Sequence, residues 1–262
     1  MLRFLPLIPL GFVIGAYGTL IGAGGGFVLV PVLLVLYPHE SPELITAISL
    51  AVVFCNATSG SVAYARMRRI DYRAGLWFSA AAVPGAILGA LSTSFIPRRA
   101  FDALFGALLL LVSTYLFVRP HSKHTGPDPL ATSSADLHSP SNLRKGAVLS
   151  LFVGYFSSLL GLGGGIIHVP ALVRLLKFPV HTATATSHFI LAIMALTGTL
   201  AHVATGGFHH GMRRSIALSI GVIIGAQVGA RLSTRLSGSW ILRGLAIALA
   251  IVGVRILFTA FR

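Results

Sequence analysis

The chain predicts an all-α, polytopic membrane protein made of two fused structural repeats. Composition is the first observation behind that prediction. Of 262 residues, 55% are hydrophobic and 10% charged, and the mean hydropathy is +0.86, whereas a soluble domain carries about 25% charged residues. The second is segment length: residues 44–65, 75–91, 101–118, 146–160, 183–204, 215–230 and 240–258 approach the roughly 20 apolar residues that cross a bilayer as a helix. A β-barrel requires short segments alternating in polarity instead. The third is a glycine phrase that occurs twice: Gly22-Ala23-Gly24-Gly25-Gly26 with Pro31 returns 139 residues later as Gly161-Leu162-Gly163-Gly164-Gly165 with Pro170.

The duplication extends beyond the glycines. Ile45-Thr46-Ala47-Ile48-Ser49 pairs with Ala183-Thr184-Ala185-Thr186-Ser187, Gly60 with Gly198, and Gly85-Ala86-Ile87-Leu88-Gly89-Ala90 with Gly225-Ala226-Gln227-Val228-Gly229-Ala230. Matched landmarks in one order, with an almost constant offset, divide the chain into a first membrane repeat over 1–118, a polar linker over 119–145 and a second membrane repeat over 146–262. The linker contains Pro120, Pro127, Pro129 and Pro140 and reads as a flexible segment outside the bilayer. Met1-Leu2-Arg3 followed by an apolar run resembles a signal peptide. That segment aligns with part of the second half, so it is expected to remain in the mature protein.

Each repeat then reads as a first helix, the glycine turn, a short segment and three longer helices. The short segment 27–37 has eleven residues, about 16 Å of helix at 1.5 Å per residue, too short to cross about 30 Å of hydrocarbon. It is either the continuation of a broken helix or the returning arm of a re-entrant hairpin, and the sequence leaves both open. The hairpin gives each half an odd number of crossings and inverts the halves; the broken helix leaves them parallel. Inverted repeats are favoured by analogy with alternating-access transporters.

The formal charge of +14 raises the possibility of nucleic-acid binding. The basic residues lie at segment ends instead, at Arg66, Arg68, Arg69 and Arg73, Arg98 and Arg99, Arg144 and Lys145, and Arg213 and Arg214. That is the placement of charges that orient helices against a lipid bilayer, and it makes no continuous track for phosphates. Cys55 is the single cysteine, which rules out an internal disulfide or a cysteine metal cluster. No cofactor motif is present, and no metal site or catalytic residue is expected. The glycine turns lack the Gly-Lys-Ser/Thr of a phosphate loop. Ala201-His202 with Gly206 resembles an intramembrane protease histidine motif with the wrong spacing and no Gly-x-Ser-Gly nucleophile.

In lipid, irregular backbone is tolerated only where protein buries it or a watery cavity meets it, so the paired turns are the first candidates for a substrate site. Glycine lets an anion approach backbone N–H groups closely, and a following helix adds its positive end. The residues expected to bind substrate are Thr19, Gly22, Gly24, Gly25, Gly26, Ser49 and Asn56 in the first half, with Ser157, Ser158, Gly161, Gly163, Gly164, Gly165, Ser187 and His188 in the second. The hydroxyls of Thr46, Thr58, Thr184 and Thr186 extend this polar stripe. Gly85, Gly89, Gly225 and Gly229 read instead as helix-packing positions.

All six acids, Glu40, Glu43, Asp71, Asp102, Asp128 and Asp136, lie away from the centres of the apolar segments, so the carboxylate relay of many cation transporters is missing and an anionic substrate fits. His168, His188 and His202 fall inside apolar segments, where the first half has Val30, Leu50 and Tyr64. His188 and His202 are the proton-coupling candidates.

At the doubled Gly-x-Gly-Gly-Gly with proline five residues on, the chain resembles the TauE/SafE family of sulfite and sulfonate exporters, over about residues 11–118 and 146–259. The resemblance implies a secondary transporter of the prokaryotic cytoplasmic membrane that handles sulfite, organosulfonates or related anions by alternating access. Its partners are then a small anionic substrate and the lipid bilayer, with no nucleic acid. A homodimer is compatible with the chain, whose oligomeric state the sequence leaves open. A transporter of another small solute, or an intramembrane enzyme or assembly factor on the same scaffold, is the alternative.

Overall fold

A computed structural model describes residues 5–118, 139–208, 211–233 and 239–260, and all the regular structure among them is helical. The order is α1 (Leu7–Ile21), α2 (Gly26–Leu36), α3 (Pro42–Arg66), α4 (Tyr72–Thr93), α5 (Arg98–Val118), α6 (Pro140–Leu160), α7 (Gly165–Arg174), α8 (Val180–Ala204), α9 (Met212–Leu232) and α10 (Ser239–Ala260). Five of these, α3, α4, α6, α8 and α9, are long and apolar enough to span a membrane. Large apolar side chains such as Leu76, Leu88, Phe152, Leu200, Ile216 and Ile224 are exposed on their outer faces, the pattern expected of helices solvated by lipid rather than water.

Local chemistry sets the helix starts. Ser41 accepts a hydrogen bond from the Leu44 amide at 3.2 Å, with Pro42 in the first turn of α3. Asp71 accepts one from the Ala74 amide at 3.1 Å to begin α4. Ser139 caps α6, with Pro140 in its first turn. These are the usual N-cap and first-turn preferences. Residues 140–145 of the stretch expected to be linker therefore belong to α6; residues 119–138 of that stretch lie outside the described residues.

The chain forms two compact units, each drawing on both sequence halves: residues 1–94 with 132–234, and 95–131 with 235–262. In the smaller unit α5 packs on α10, with Gly106 close to Leu257. At the start of α5, Arg98 Nε lies 2.9 Å from each carboxylate oxygen of Asp102.

In the larger unit α3 and α8 lie together at the centre. Helix α9 packs against α1 and α3, and α4 packs against α6 and α8. Exchanging the first half for the second turns the α1–α9 pairing into α6–α4 and α3–α9 into α8–α4, and leaves α3–α8 as it is. Close helix approach rests on glycine. A Cβ on Gly85 would meet the Leu151 carbonyl, and one on Gly89 the Tyr155 carbonyl, while Gly225 and Gly229 stand the same way against Phe12 and Ala16. The packing role read from the sequence is the role these four residues have.

Candidate functional site

Both glycine phrases form the same turn. Helix α1 ends in left-handed backbone at Gly22 (φ 83°), and α2 starts from left-handed Gly24 and Gly25 (φ 76° and 80°). Gly161, Gly163 and Gly164 repeat the pattern at φ 69°, 78° and 83°. Only glycine adopts that run of positive φ without strain. The chain then doubles back. Gly25 lies against Gly18, and a Cβ on it would stand 2.9 Å from Ile14 Cγ2, a residue two turns earlier on α1. In the second copy Gly164 lies correspondingly against Val153 and Ser157. Each turn thus reverses the backbone locally as a hairpin, the geometry expected of a returning arm.

The hairpin tips touch one another. A Cβ on Gly26 would stand 2.5 Å from the Leu162 carbonyl oxygen and 2.7 Å from that of Gly161, and one on Gly165 would stand 2.6 Å from the Gly22 carbonyl oxygen. Gly24 and Gly163 both face Val53 on α3, and Gly24 also meets Leu191 on α8. Val53 and Leu191 belong to a buried apolar cluster with Leu50, Ala57 and Ala195, so the tips close on each other over an apolar seal.

The two helix ends at each hairpin differ in their hydrogen bonding. The last carbonyls of α1 are supplied with donors: Gly22 N–H donates to Thr19, both Ala23 and Gly24 to Gly18, and Tyr64 O–H donates to the Thr19 carbonyl at 2.9 Å. At the end of α6, Gly161 and Leu162 donate to the Ser157 carbonyl. By contrast the first amides of α2 and α7, at Gly26 and Gly165, have no protein acceptor among the described residues. The positive ends of two helices thus meet at the tips, with the opposing negative ends capped.

The predicted polar residues divide between two groups around these tips. In the first, Thr19 Oγ1 donates to Asn56 Oδ1 at 3.2 Å and lies 3.4 Å from His188 Nε2, and the Tyr64 ring meets His188 edge-on at 5.5 Å. Gly60 leaves room for the histidine: a Cβ there would stand 2.7 Å from its Cδ2. In the second, Ser49 donates to the Gly161 carbonyl at 2.6 Å, Ser157 Oγ is 3.0 Å from where a Gly164 Cβ would be, and Ser158 Oγ is 3.1 Å from the corresponding point on Gly198, beside Leu50.

All of these side chains are buried, and so are Ser187 and His202. Among the described residues Asn56 Nδ2, His188 Nδ1, His202 Nε2 and the hydroxyls of Ser157, Ser158, Ser187 and Thr46 have no hydrogen-bond partner. So many orphaned polar atoms in one interior suggest a use other than packing.

Other expected residues turn out to be structural or peripheral. Thr186 accepts from the Asp71 amide at 3.0 Å and helps anchor α4. Thr184 donates to Val180 in its own helix, and Thr58 is exposed on the outer face of α3. His168 pairs with Ser150 at 3.0 Å, tying α7 to α6. Sequence reasoning missed Val53 and undervalued Tyr64, which spacing signalled, since the polar positions 49 and 56 lie on one stripe of a 3.6-residue helix with 60 and 64.

An all-helical fold with five apolar helices of membrane-spanning length, and paired, touching hairpins among them, defines a class of integral membrane protein. The chain belongs to the TauE/SafE sulfite exporter family, whose model matches residues 7–256. Its relatives include the probable membrane transporter protein YunE of Bacillus subtilis, 32% identical over 78% of this chain and 80% of that protein. A probable membrane transporter protein of Methanocaldococcus jannaschii is 26% identical over 77% and 74%, and one of Xylella fastidiosa is 28% identical over 72% and 69%. No solved structure matches the chain. The protein is thus a multi-pass membrane protein of a transporter family.

Proposed function

We propose that the protein is a secondary transporter of the cytoplasmic membrane that moves a small anion, sulfite, a sulfonate or another sulfur-containing anion, by alternating access. The observation that carries this reading is the meeting of two uncapped helix starts, at Gly26 and Gly165, among buried hydroxyls and amides with no hydrogen-bond partner. Backbone N–H groups at a helix start favour negative charge. The acids described in this unit lie outside the helix interiors, Glu40 in the loop before α3, Glu43 in its first turn and Asp71 at the start of α4; Glu40, for instance, pairs with Arg214 at 2.8 Å. The name of the matching family model, sulfite exporter, supports a sulfur anion.

The halves are inverted in this reading. With α5 and α10 taken as the third crossing of each half, a hairpin followed by three crossing helices leaves each half on the opposite side from its start. Binding can be read directly as thermal stabilisation of the detergent-purified protein across sulfite, thiosulfate, taurine and sulfoacetate. An anion present at a hundred times its Kd stabilises by about 2.7 kcal/mol. A panel in which no anion raises the melting temperature, while a cation or neutral solute does, overturns the proposal.

A further inference from the structure

The two hairpins share a backbone but differ in their surroundings. At the first, Gly60 faces His188 and Thr19; at the second, the equivalent Gly198 faces Leu50 and Ser158. Leu50 is the repeat partner of His188, and the positions matching Asn56 hold Met194 and Ala195. A buried imidazole with a carboxamide therefore occurs at one hairpin of the pair. His202 is the repeat partner of Tyr64 and is buried on α8.

Hydrogen-bond directions constrain what the first hairpin can hold. Thr19 gives its one proton to Asn56 Oδ1, so toward His188 Nε2 its oxygen is an acceptor and the ring nitrogen carries the hydrogen. In neutral imidazole Nδ1 is then a bare lone pair. Nδ1 makes no hydrogen bond of ordinary geometry, and the backbone carbonyls of Gly22 and Thr184 lie near enough to act on the ring as acceptors. A proton on Nδ1 is what this arrangement lacks.

The resulting imidazolium would be wholly buried. Its titratable neighbour is Tyr64 of α3, with Arg69 acting on that tyrosine. α1 and the first turn contribute the uncharged Thr19 and Gly22. An unpaired cation is costly in such an interior, as is an unpaired anion. Together they neutralise each other, and the free amide hydrogens of Asn56 add donors for the anion.

Building on the anion-transport reading, we infer that the anion travels with one proton, held on His188 Nδ1 at the first hairpin, and that His202 carries none. A proton from water bonds to Nδ1, neutral imidazole becomes imidazolium, and the same proton returns to water when the anion leaves on the other side.

The test uses proteoliposomes with a trapped pH dye and inward gradients of sulfite, thiosulfate or isethionate at equal internal and external pH. Thiosulfate and isethionate carry no titratable proton near neutrality. The expected result is anion entry with internal acidification above that of protein-free vesicles, at one proton per anion more than the anion itself carries. It is lost in His188→Gln and kept in His202→Gln. Net anion entry without proton movement in the wild type overturns the inference and leaves anion transport standing, whether or not the His188 variant folds. Proton movement that survives in a folded His188→Gln, or disappears in His202→Gln alone, also overturns it. If no anion exchanges at all, the transport reading fails and the inference falls with it.

Discussion

The contact between hairpin tips can be tested with a single methyl group. In Gly26→Ala the new Cβ would stand 2.5 Å from the Leu162 carbonyl oxygen, about 0.9 Å short of the 3.4 Å at which ordinary contact begins. The opposing atom is backbone, so relief requires the hairpins to part. Overpacking costs about 1–3 kcal/mol, here about 2–3 because the opposing atom is backbone, offset in part by alanine's helix preference over glycine of about 1 kcal/mol. A net loss of about 1–2 kcal/mol lowers Tm by roughly 2–8 °C for a chain of this size.

Gly165→Ala, whose Cβ would stand 2.6 Å from the Gly22 carbonyl oxygen, should lose a similar amount. Because either methyl opens the same contact, the double variant should lose at least about 0.5 kcal/mol less than the sum. Thr58→Ala, on the exposed face of α3, is the control and should stay within about 0.5 kcal/mol of the parent. The assay is thermal unfolding of the purified protein in one detergent. Strictly additive losses, or a Gly26→Ala protein as stable as the parent, would refute the touching-tip geometry.

Two further predictions concern individual bonds and contacts. Ser49→Ala removes the 2.6 Å donor to the Gly161 carbonyl and leaves a buried acceptor bare, costing about 1–3 kcal/mol, whereas Tyr64→Phe leaves the Thr19 carbonyl still bonded to Gly22 N–H and costs about 0.5–1.5 kcal/mol; melting temperatures in the reverse order would contradict this. Gly89→Leu puts side-chain bulk against the Tyr155 carbonyl and 3.0 Å from the Leu159 amide, so α4 and α6 cannot close, and gel filtration should show loss of the monodisperse folded species.

Much of the architecture was legible in the sequence because glycine leaves a distinctive record. Left-handed backbone at 22, 24 and 25 and at 161, 163 and 164 admits few residues other than glycine, so the doubled phrase marks both turns in the sequence itself. The helix-packing glycines were equally legible, since spacing by four on an apolar helix has one common use. Turn against break was not legible. That distinction rests on whether Gly25 returns to Ile14, a contact whose partners carry no polarity signal.

The polar site was half legible. Thr19, Asn56 and His188 stand out as polar residues in apolar segments, but their meeting depends on how α1, α3 and α8 cross. Thr58 and Thr186 look identical to them in sequence and face elsewhere. Val53 and Leu191 could not be singled out, because one apolar residue among many gives no hint that it seals the gap between two hairpins.

The central claim, that this membrane protein carries a small sulfur-containing anion across the bilayer, is tested most directly by counterflow. Proteoliposomes loaded with unlabelled sulfite, thiosulfate, taurine or sulfoacetate are diluted into trace amounts of the same labelled anion. The account predicts transient accumulation of label for at least one of the four, above protein-free vesicles and weakened by Gly164→Leu, which crowds Ser157 and Val153 at the second hairpin. Label that equilibrates no faster than in protein-free vesicles for all four, from protein shown to be folded, would contradict it.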